Sequence, residues 1–319
     1  MHLNEPHLVQ PNVIALKELA DEVIEILGTQ PNVISLETAA KTLVIGDLHG
    51  DLKATKHVFK MCQQLNCERM IFLGDYVDRG PNPLAVLEYT LKMSLANPEF
   101  IVILRGNHED ETMNSMYGFH AELRSMFPYK AGYEQAIKHS LAIYDCMPLA
   151  AQTPDSFFLH GGIPQDTTLD DIKSIPKPHS GLTVLEDSKS QKMQRIFEEI
   201  RWNDPDETLS SGYSSSPRGS PAKCFSCLEA ENFLRKTVER RRLFRSHECS
   251  RGAFESLWDG LVVHILTSDP DLAESVVPSN RIGTVAIENE NGSVDVLNLE
   301  GSRIASLPPK RWTGRSVCK

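Results

Sequence analysis

Three short segments combine carboxylate, imidazole and amide side chains at spacings that suit metal binding. In the first, Asp47 and His49 lie two residues apart within a Gly-Asp-Leu-His-Gly segment. A tight turn with that spacing can aim a carboxylate oxygen and an imidazole nitrogen at one point, and this mixed ligand set suits Zn, Mn or Fe. Taken alone, such a pair more often belongs to a solvated loop.

Two later segments repeat the same design. Residues 74–80 read Gly-Asp-Tyr-Val-Asp-Arg-Gly, and residues 105–109 read Arg-Gly-Asn-His-Glu. Each of the three segments follows an apolar run, at 43–45, 69–73 and 100–104, that is typical of a strand buried on both faces of a mostly parallel sheet. Helical spacing at 51–65 and 82–96 separates the runs, which indicates parallel βαβ units. The carboxyl ends of such strands meet in one crevice, so we expect the three segments to converge there.

In this order, the three motifs resemble the signature of the metal-dependent phosphoprotein phosphatase family, within the calcineurin-like metallophosphoesterases. These are the serine/threonine phosphatases related to protein phosphatase 1, protein phosphatase 2A and calcineurin. The resemblance runs from about Lys41 to at least His247. It implies an α/β fold in which a β-sandwich of two mixed sheets is flanked by helices. The expected organisation is an N-terminal helical segment at 1–40, a catalytic domain at 41–300 and a C-terminal tail at 301–319.

The resemblance also implies a metal centre with two divalent or trivalent ions, Mn, Fe or Zn. The first ion is expected on Asp47, His49 and Asp75. The second is expected on Asp75, Asn107, His160 and His247, so that Asp75 bridges both. His160 ends an apolar run at 156–159 and precedes two glycines, and His247 stands in an Arg-Ser-His segment similar to the family's Arg-Ala-His.

The implied reaction is hydrolysis of phosphoserine and phosphothreonine in proteins by direct attack of a metal-bridging hydroxide. His108 is expected to protonate the leaving alkoxide, while Asp78 orients His108 and keeps it protonated. A guanidinium fork matches the geometry of phosphate oxygens. The expected phosphate-binding residues are Arg79, Arg218 and Asn107, with Arg105 as a further candidate.

Two segments depart from the family pattern. The family's Ser-Ala-Pro-Asn-Tyr segment, whose tyrosine overhangs the active site, is replaced by residues 268–272, Ser-Asp-Pro-Asp-Leu, so substrate geometry is expected to differ. The family's Trp-Ser-Asp-Pro segment has Asn203 in place of its serine. The altered segment 268–272 leaves open a catalytically silent relative that binds phosphoproteins. A dinucleoside polyphosphate hydrolase of the same superfamily is the other alternative, because its two-metal chemistry would be nearly the same.

Composition limits the classes of partner. The net charge of −10 disfavours nucleic acid, which selects basic surfaces. No apolar run has the length of a membrane span, and no secretory signal is recognisable. Seven cysteines in loose spacing favour reduced thiols, including an ordinary buried pair in Cys224-x-x-Cys227, and a cytoplasmic or nuclear protein. Phosphoprotein substrates and regulatory or targeting subunits are the expected partners.

The remaining pattern predicts secondary structure that completes the domain. Helical spacing is present at 11–27, where Gly28 is a plausible stop, and at 111–126, 133–144 and 231–243. The last of these contains Arg240, Arg241 and Arg242, interpreted as a solvated helical face. Strands are predicted at 148–151, 260–267, 281–288 and 293–299. Residues 165–191 are predicted to form a surface loop and residues 209–221 a mobile low-complexity segment.

Overall fold

The computed structural model describes residues 12–184, 188–268, 282–312 and 316–318. The helices are α1 (Val13–Leu27), α2 (Leu52–Gln64), α3 (Pro83–Ala96), α4 (Glu111–Tyr117), α5 (Phe119–Met126), α6 (Lys130–Tyr144), α7 (Leu169–Lys173), α8 (Ser188–Trp202) and α9 (Cys227–Asn232). Short 3₁₀ turns span His179–Val184 and Cys249–Arg251, and a π-helical turn spans Phe233–Thr237. Among these helices none is both long and apolar enough to cross a bilayer.

The strands form two six-stranded mixed sheets and a small three-stranded sheet. The first sheet has the order β1 (Val33–Ser35), β5 (Ala150–Gln152), β6 (Ser156–Leu159), β10 (Arg242–Arg245), β12 (Val262–Ile265) and β11 (Phe254–Leu257). The second has the order β15 (Arg303–Leu307), β14 (Val294–Asn298), β13 (Thr284–Glu288), β2 (Thr42–Ile45), β3 (Arg69–Phe72) and β4 (Ile101–Ile103). The small sheet joins β7 (Asp204–Pro205), β9 (Lys223–Phe225) and β8 (Tyr213–Ser215).

The predicted βαβ units are confirmed at the centre of the second sheet. Strands β2, β3 and β4 pair in parallel, and every residue of each is buried. Their apolar β-branched composition fits this setting because helices cover one face while the other sheet covers the opposite face. Asp51 begins α2 by accepting a hydrogen bond from the amide of Ala54, so the first motif segment also starts the crossover helix.

The two large sheets pack face to face, and the core between them is apolar. Val44 and Ile71 from the second sheet meet Phe158 and Phe244 from the first, and the two phenyl rings stack with centroids 5.1 Å apart. Separate apolar layers lie on the outer face of each sheet under the helices. The sandwich of two mixed sheets flanked by helices is therefore present as predicted.

Both terminal segments contribute strands to the sandwich. In the segment 1–40, β1 pairs in parallel with β5, and α1 packs on α6 and α3. In the segment 301–319, β15 pairs with β14 as the edge strand of the second sheet. The division of the chain at residues 40 and 300 stays a prediction.

Several predicted elements differ from the structure. The predicted helix 111–126 is divided at Gly118, whose φ of 118° ends α4 and starts α5. The predicted surface loop 165–191 contains α7, a 3₁₀ turn and the start of α8, because Ile172, Ile175 and Leu182 are buried against the first sheet. Residues 213–215 of the predicted mobile segment form β8.

The predicted solvated helical face at 240–242 is also wrong. Arg242 is buried in β10, where its guanidinium donates to the carbonyls of Gly260, Gly292 and Pro308. Three carbonyl acceptors offset the loss of hydration that a buried cation otherwise suffers. The helical pattern predicted for 231–243 therefore stops well before β10.

The prediction that the thiols are reduced is wrong for two of the seven cysteines. Cys227, at the start of α9, forms a disulfide with Cys318, 91 residues away in sequence. Glu231 on the same helix accepts a hydrogen bond from the amide of Val317, so the described residues near Cys318 are also held by a polar contact. The other half of the Cys224-x-x-Cys227 pair remains a buried thiol, as predicted.

The Cys227–Cys318 disulfide is expected to stabilise the oxidised protein by about 2–4 kcal/mol, because it restricts a long loop of the unfolded chain. The urea concentration at the unfolding midpoint of the wild type should therefore fall when reductant is added. The variant Cys318→Ser should unfold at the reduced wild-type midpoint in both buffers, while Cys146→Ser serves as a control that still responds to reductant. Equal wild-type midpoints in the two buffers would contradict this prediction.

Candidate active site

Each of the six predicted ligands, His49 included, lies within four residues of the end of a strand. Asp47, Asp75 and Asn107 follow β2, β3 and β4 of the second sheet, and His160 and His247 follow β6 and β10 of the first. The strands within each set run parallel, so their carboxyl ends share one edge. The structure brings all five side chains together, buried, at one end of the sandwich.

The backbone at this end of the sandwich adopts left-handed conformations. Five residues other than glycine have positive φ: His49 (42°), Asp75 (57°), Asp78 (69°), Arg79 (63°) and His247 (82°). Each such residue costs on the order of 1 kcal/mol or more and persists only where its surroundings hold it. The concentration of this strain at the motif loops indicates that their conformation serves the side chains they present.

Glu109 is a buried residue of the third motif to which the sequence reasoning gave no role. Its carboxylate accepts backbone hydrogen bonds from Asp75 (2.9 Å), Tyr76 (2.9 Å) and Gly106 (2.8 Å). Gly106 also has to be glycine, since a Cβ there would lie 2.2 Å from Oδ1 of Asp75. Glu109 therefore ties the second and third motif loops together, and its place at the end of Arg-Gly-Asn-His-Glu was the available signal.

The first predicted metal position lies between Asp47, His49 and Asp75. The Nδ1 atom of His49 lies 2.9 Å from the carbonyl oxygen of Val77, which can only accept, so Nδ1 carries the proton. Burial lowers the pKa of His49 well below its usual value, which keeps the ring neutral and leaves Nε2 as an acceptor. That atom faces Oδ2 of Asp47 at 3.8 Å and Oδ2 of Asp75 at 3.7 Å.

The second predicted position repeats this arrangement. Nδ1 of His160 donates to the carbonyl of Leu73 (3.0 Å), and burial lowers the pKa of His160, so its Nε2 is again an acceptor. Nε2 lies 2.9 Å from Oδ1 of Asn107 and 3.3 Å from Oδ2 of Asp75. Nδ1 of His247 lies 2.8 Å from the same Asn107 oxygen. Neighbouring ligands of one ion, with bonds of about 2.1 Å, are about 3 Å apart, which matches this spacing.

Oδ2 of Asp75 faces both positions, while Oδ1 of the same carboxylate accepts the amide proton of His108 (2.9 Å). Oδ2 of Asp47 accepts no hydrogen bond from the described residues although it is buried. Desolvation raises the pKa of Asp47 to about 6 and that of Asp75 to about 7. At both positions, hydrogen-bond acceptors point at one another beside buried carboxylates, and a cation at each position would satisfy them. Carboxylate, amide and imidazole ligands together suit Mn, Fe or Zn.

His108 and Asp78 form a buried pair beside these positions. Nδ1 of His108 lies 2.7 Å from Oδ2 of Asp78, which also accepts from the side chain of Asn114 (3.0 Å), while Oδ1 accepts from the amide of Phe119 (3.0 Å). The rings of His108 and His49 are in contact, with centroids 4.7 Å apart. Asp78 therefore fixes the orientation of His108, and Asn114 is a supporting residue that the sequence did not reveal.

The expectation that Asp78 keeps His108 protonated is not what the electrostatics favour. Burial, followed by the positive charge of Arg79, lowers the pKa of His108 well below its usual value. Desolvation also raises the pKa of Asp78 to about 6. A phosphate dianion placed beside His108 opposes the lowering of the His108 pKa, because a nearby negative charge favours the protonated imidazole.

The two predicted phosphate-binding arginines lie near this pair. Arg79 stacks over the ring of Tyr117 at 5.1 Å, and that ring also contacts His108. Arg218 is about one third exposed and donates from Nε to Oδ2 of Asp204 at 2.6 Å. The charges of both arginines lower the pKa of His108, which is consistent with their lying close to it.

Asp204 is a second residue that the sequence reasoning left without a role. Its other oxygen accepts from Nη2 of Arg245 (2.8 Å) and lies 3.8 Å from Nε2 of His247. It thus connects the loop of Arg218 with the strand end that carries His247. Its position in the Trp-Asn-Asp-Pro segment was the signal, since that segment resembles a family motif.

Arg105 does not face the site. Its guanidinium is buried and donates to the carbonyl of Glu109, to Asp145 (3.0 Å) and towards His179 (2.9 Å). The idea that it contacts phosphate is therefore wrong, because its donors are directed into the fold.

In the replaced segment 268–272, only Ser268 is described, and its amide donates to the carbonyl of Asp47 (2.7 Å). Residues 269–272 lie outside the described residues.

A family model for calcineurin-like phosphoesterases matches residues 40–248, which is more than half of the chain and contains every predicted metal ligand. The chain belongs to the calcineurin-like phosphoesterase family. Its relatives within this family include the catalytic subunit of serine/threonine-protein phosphatase 4 of Candida glabrata, which is 30% identical over 248 residues, 76% of this chain and 72% of that protein.

A longer relative is the serine/threonine-protein phosphatase rdgC of Drosophila melanogaster. It is 31% identical over 297 residues, and although 88% of this chain is matched, the match spans 42% of the rdgC protein. A solved serine/threonine phosphatase from Saccharomyces cerevisiae, with similarity to human phosphatase PP5, shares the fold of this calcineurin-like phosphoesterase. It superposes with a TM-score of 0.71 at 21% identity and covers 96% of this chain and 93% of that structure.

Proposed function

We propose that this chain is the catalytic part of a metal-dependent phosphatase that hydrolyses phosphoserine and phosphothreonine in proteins, with residues 41–300 as the catalytic domain. The observation that carries the proposal is the geometry around Asp75. Two clusters of acceptors share its Oδ2 atom, and the His108–Asp78 pair lies beside them. The sequence identity of 30–31% with serine/threonine-protein phosphatases favours a phosphoprotein substrate.

Asp47, His49 and Asp75 would hold one ion, and Asp75, Asn107, His160 and His247 the other. When bound, two such ions supply a water of lowered pKa as nucleophile and neutralise charge on the phosphate. The chain contributes to metal binding in two ways: its histidines are neutral, and the Asp75 carboxylate is shared. Both positions therefore present lone pairs that carry no proton.

The groups around the metal positions would bind and protonate the substrate. Arg79 and Arg218 grip the non-bridging oxygens, and the amide nitrogen of Asn107 is a further donor. The phosphate raises the pKa of His108, so that this residue is protonated when the ester oxygen needs a proton. Asp78 holds the imidazole in place through its 2.7 Å hydrogen bond.

Donor chemistry and net charge support the choice of metal and of substrate class. The mixed carboxylate, amide and imidazole donors favour Mn, Fe or Zn over Ca or Mg. The net charge of −10 favours protein over nucleic-acid substrates. Regulatory or targeting subunits are proposed as partners because a catalytic domain alone offers little to select a substrate. The cytoplasm or nucleus is the proposed compartment.

Phosphate release from a phosphoserine or phosphothreonine peptide tests the function. The protein is loaded separately with Mn²⁺, Fe²⁺ or Zn²⁺ and compared with a chelator-treated sample. We expect metal-dependent release from the peptide and much slower turnover of diadenosine tetraphosphate. A clear preference for the nucleotide, or peptide binding without phosphate release by metal-loaded protein, would overturn the proposal.

A further inference from the structure

Cys249 lies at the edge of the first metal position. It starts the 3₁₀ turn Cys249–Arg251, two residues after His247. It is the one cysteine outside the disulfide that is partly exposed, whereas Cys62, Cys67, Cys146 and Cys224 are buried. The sequence reasoning gave it no role.

The sulfur of Cys249 belongs to the same cluster of donor atoms as two predicted ligands. One carboxylate oxygen of Asp47, one ring nitrogen of His49 and Sγ of Cys249 all lie within 4.8 Å of one another. Oδ2 of Asp47 is fully buried and accepts no hydrogen bond from any described residue. This oxygen faces Nε2 of His49 at 3.8 Å, and a buried carboxylate oxygen without a donor beside a neutral imidazole indicates that a cation belongs between these two groups.

The spacing is close to what one ion requires. With bonds of about 2.1 Å to oxygen or nitrogen and about 2.3 Å to sulfur, two ligands of one ion are at most about 4.4 Å apart. The three donor atoms lie within 4.8 Å of one another, which is close to this value. Cys249 starts a short turn two residues after His247, and the backbone there places its sulfur beside the two predicted ligands.

We propose that the thiolate of Cys249 is a further protein ligand of the ion held by Asp47, His49 and Asp75. The inference rests on the metal centre of the proposed function. On binding, the sulfur donates an electron pair to the ion and its proton passes to solvent. A thiolate converts a position of hard oxygen and nitrogen donors into a softer one, so it favours Zn²⁺ over Mn²⁺ there.

Co²⁺ is the probe, because a thiolate ligand adds a near-ultraviolet charge-transfer band that oxygen and nitrogen ligands do not give. The metal-free full chain is titrated with Co²⁺ for the wild type, Cys249→Ser, Cys249→Ala and the buried control Cys146→Ser. We expect the band in the wild type and in Cys146→Ser, and its loss in both Cys249 variants while the visible Co²⁺ bands remain. The preference for Zn²⁺ over Mn²⁺ in competition should fall at least about 10-fold in both Cys249 variants, since even indirect supporting residues contribute that much.

The outcomes separate the two proposals. Binding of two Co²⁺ ions by the wild type without the charge-transfer band would overturn the thiolate ligand and leave the proposed function standing. A band that persists in both Cys249 variants would overturn it as well. Failure of the wild type to bind Co²⁺ at all would contradict the metal centre, and with it both proposals.

Discussion

Replacing Asp75 with asparagine should abolish phosphatase activity, with a loss on the order of 10³-fold or more in kcat, because the shared anionic oxygen at both metal positions disappears. Oδ2 of Asp75 lies 3.7 Å from Nε2 of His49 and 3.3 Å from Nε2 of His160. Asparagine keeps the shape of the side chain and can still accept the amide proton of His108 through Oδ1. Metal content should fall from two ions to one or none, measured by elemental analysis of the purified protein.

Stability provides the control for this variant. In the metal-free wild type, desolvation raises the pKa of Asp75 from 3.8 to about 7, so ionisation is disfavoured in the folded state. The contribution of Asp75 to the stability of the metal-free protein should therefore fall as the pH rises from about 4 to 7. Asp75→Asn removes this effect, and the metal-free variant should unfold at no lower urea concentration than the metal-free wild type at pH 8. Retention of two ions and of activity would contradict the bridging role.

Replacing His108 with asparagine should lower kcat on a phosphoserine peptide by about 10²–10⁴-fold, the usual contribution of a general acid. Serine alkoxide is a poor leaving group and needs the proton, whereas the nitrophenolate of p-nitrophenyl phosphate leaves without one. We therefore expect a much smaller loss on p-nitrophenyl phosphate. The ratio of the two losses, measured on the same enzyme preparation, reports proton donation separately from damage to the metal centre.

Metal content should stay at two ions in His108→Asn, because the predicted ligands are unchanged. His139→Asn, a substitution of the same type on α6 away from the site, should leave kcat unchanged on both substrates. Equal losses on the peptide and on p-nitrophenyl phosphate would show that His108 supports the site in another way, for example by holding Asp78 through the contact of its Nδ1 atom with Oδ2.

Much of the central fold was predictable because its signals are local. The apolar runs before Asp47, Asp75 and Asn107 and the helical spacing between them indicate parallel strands, and the structure has these as β2, β3 and β4. His160 and His247 depended on the family resemblance, since they belong to the other sheet and lie far away in sequence. Their roles as ligands stay proposals.

The errors arose where tertiary contacts override local pattern. The sparse apolar residues between 165 and 191 show no period, yet Ile172 and Leu182 are buried by the first sheet. Arg242 has the charge of a surface residue but finds three carbonyls inside. No local signal joins Cys227 to Cys318 across 91 residues. Glu109 and Asp204 act by positioning other groups, which requires knowing what lies beside them.

Both sheets contribute to the six ligands of the proposed function: four follow strands of the second sheet and two follow strands of the first. An ion at the second position would be bonded to Asp75 and Asn107 of the second sheet and to His160 and His247 of the first. It would therefore cross-link the two sheets of the sandwich. If one sheet shifted relative to the other, for example after a change in the core at the stacked rings of Phe158 and Phe244, the distances between the ligands of the two sheets would change. Metal affinity is then partly a property of the apolar core, and substitutions buried far from any ligand can weaken it.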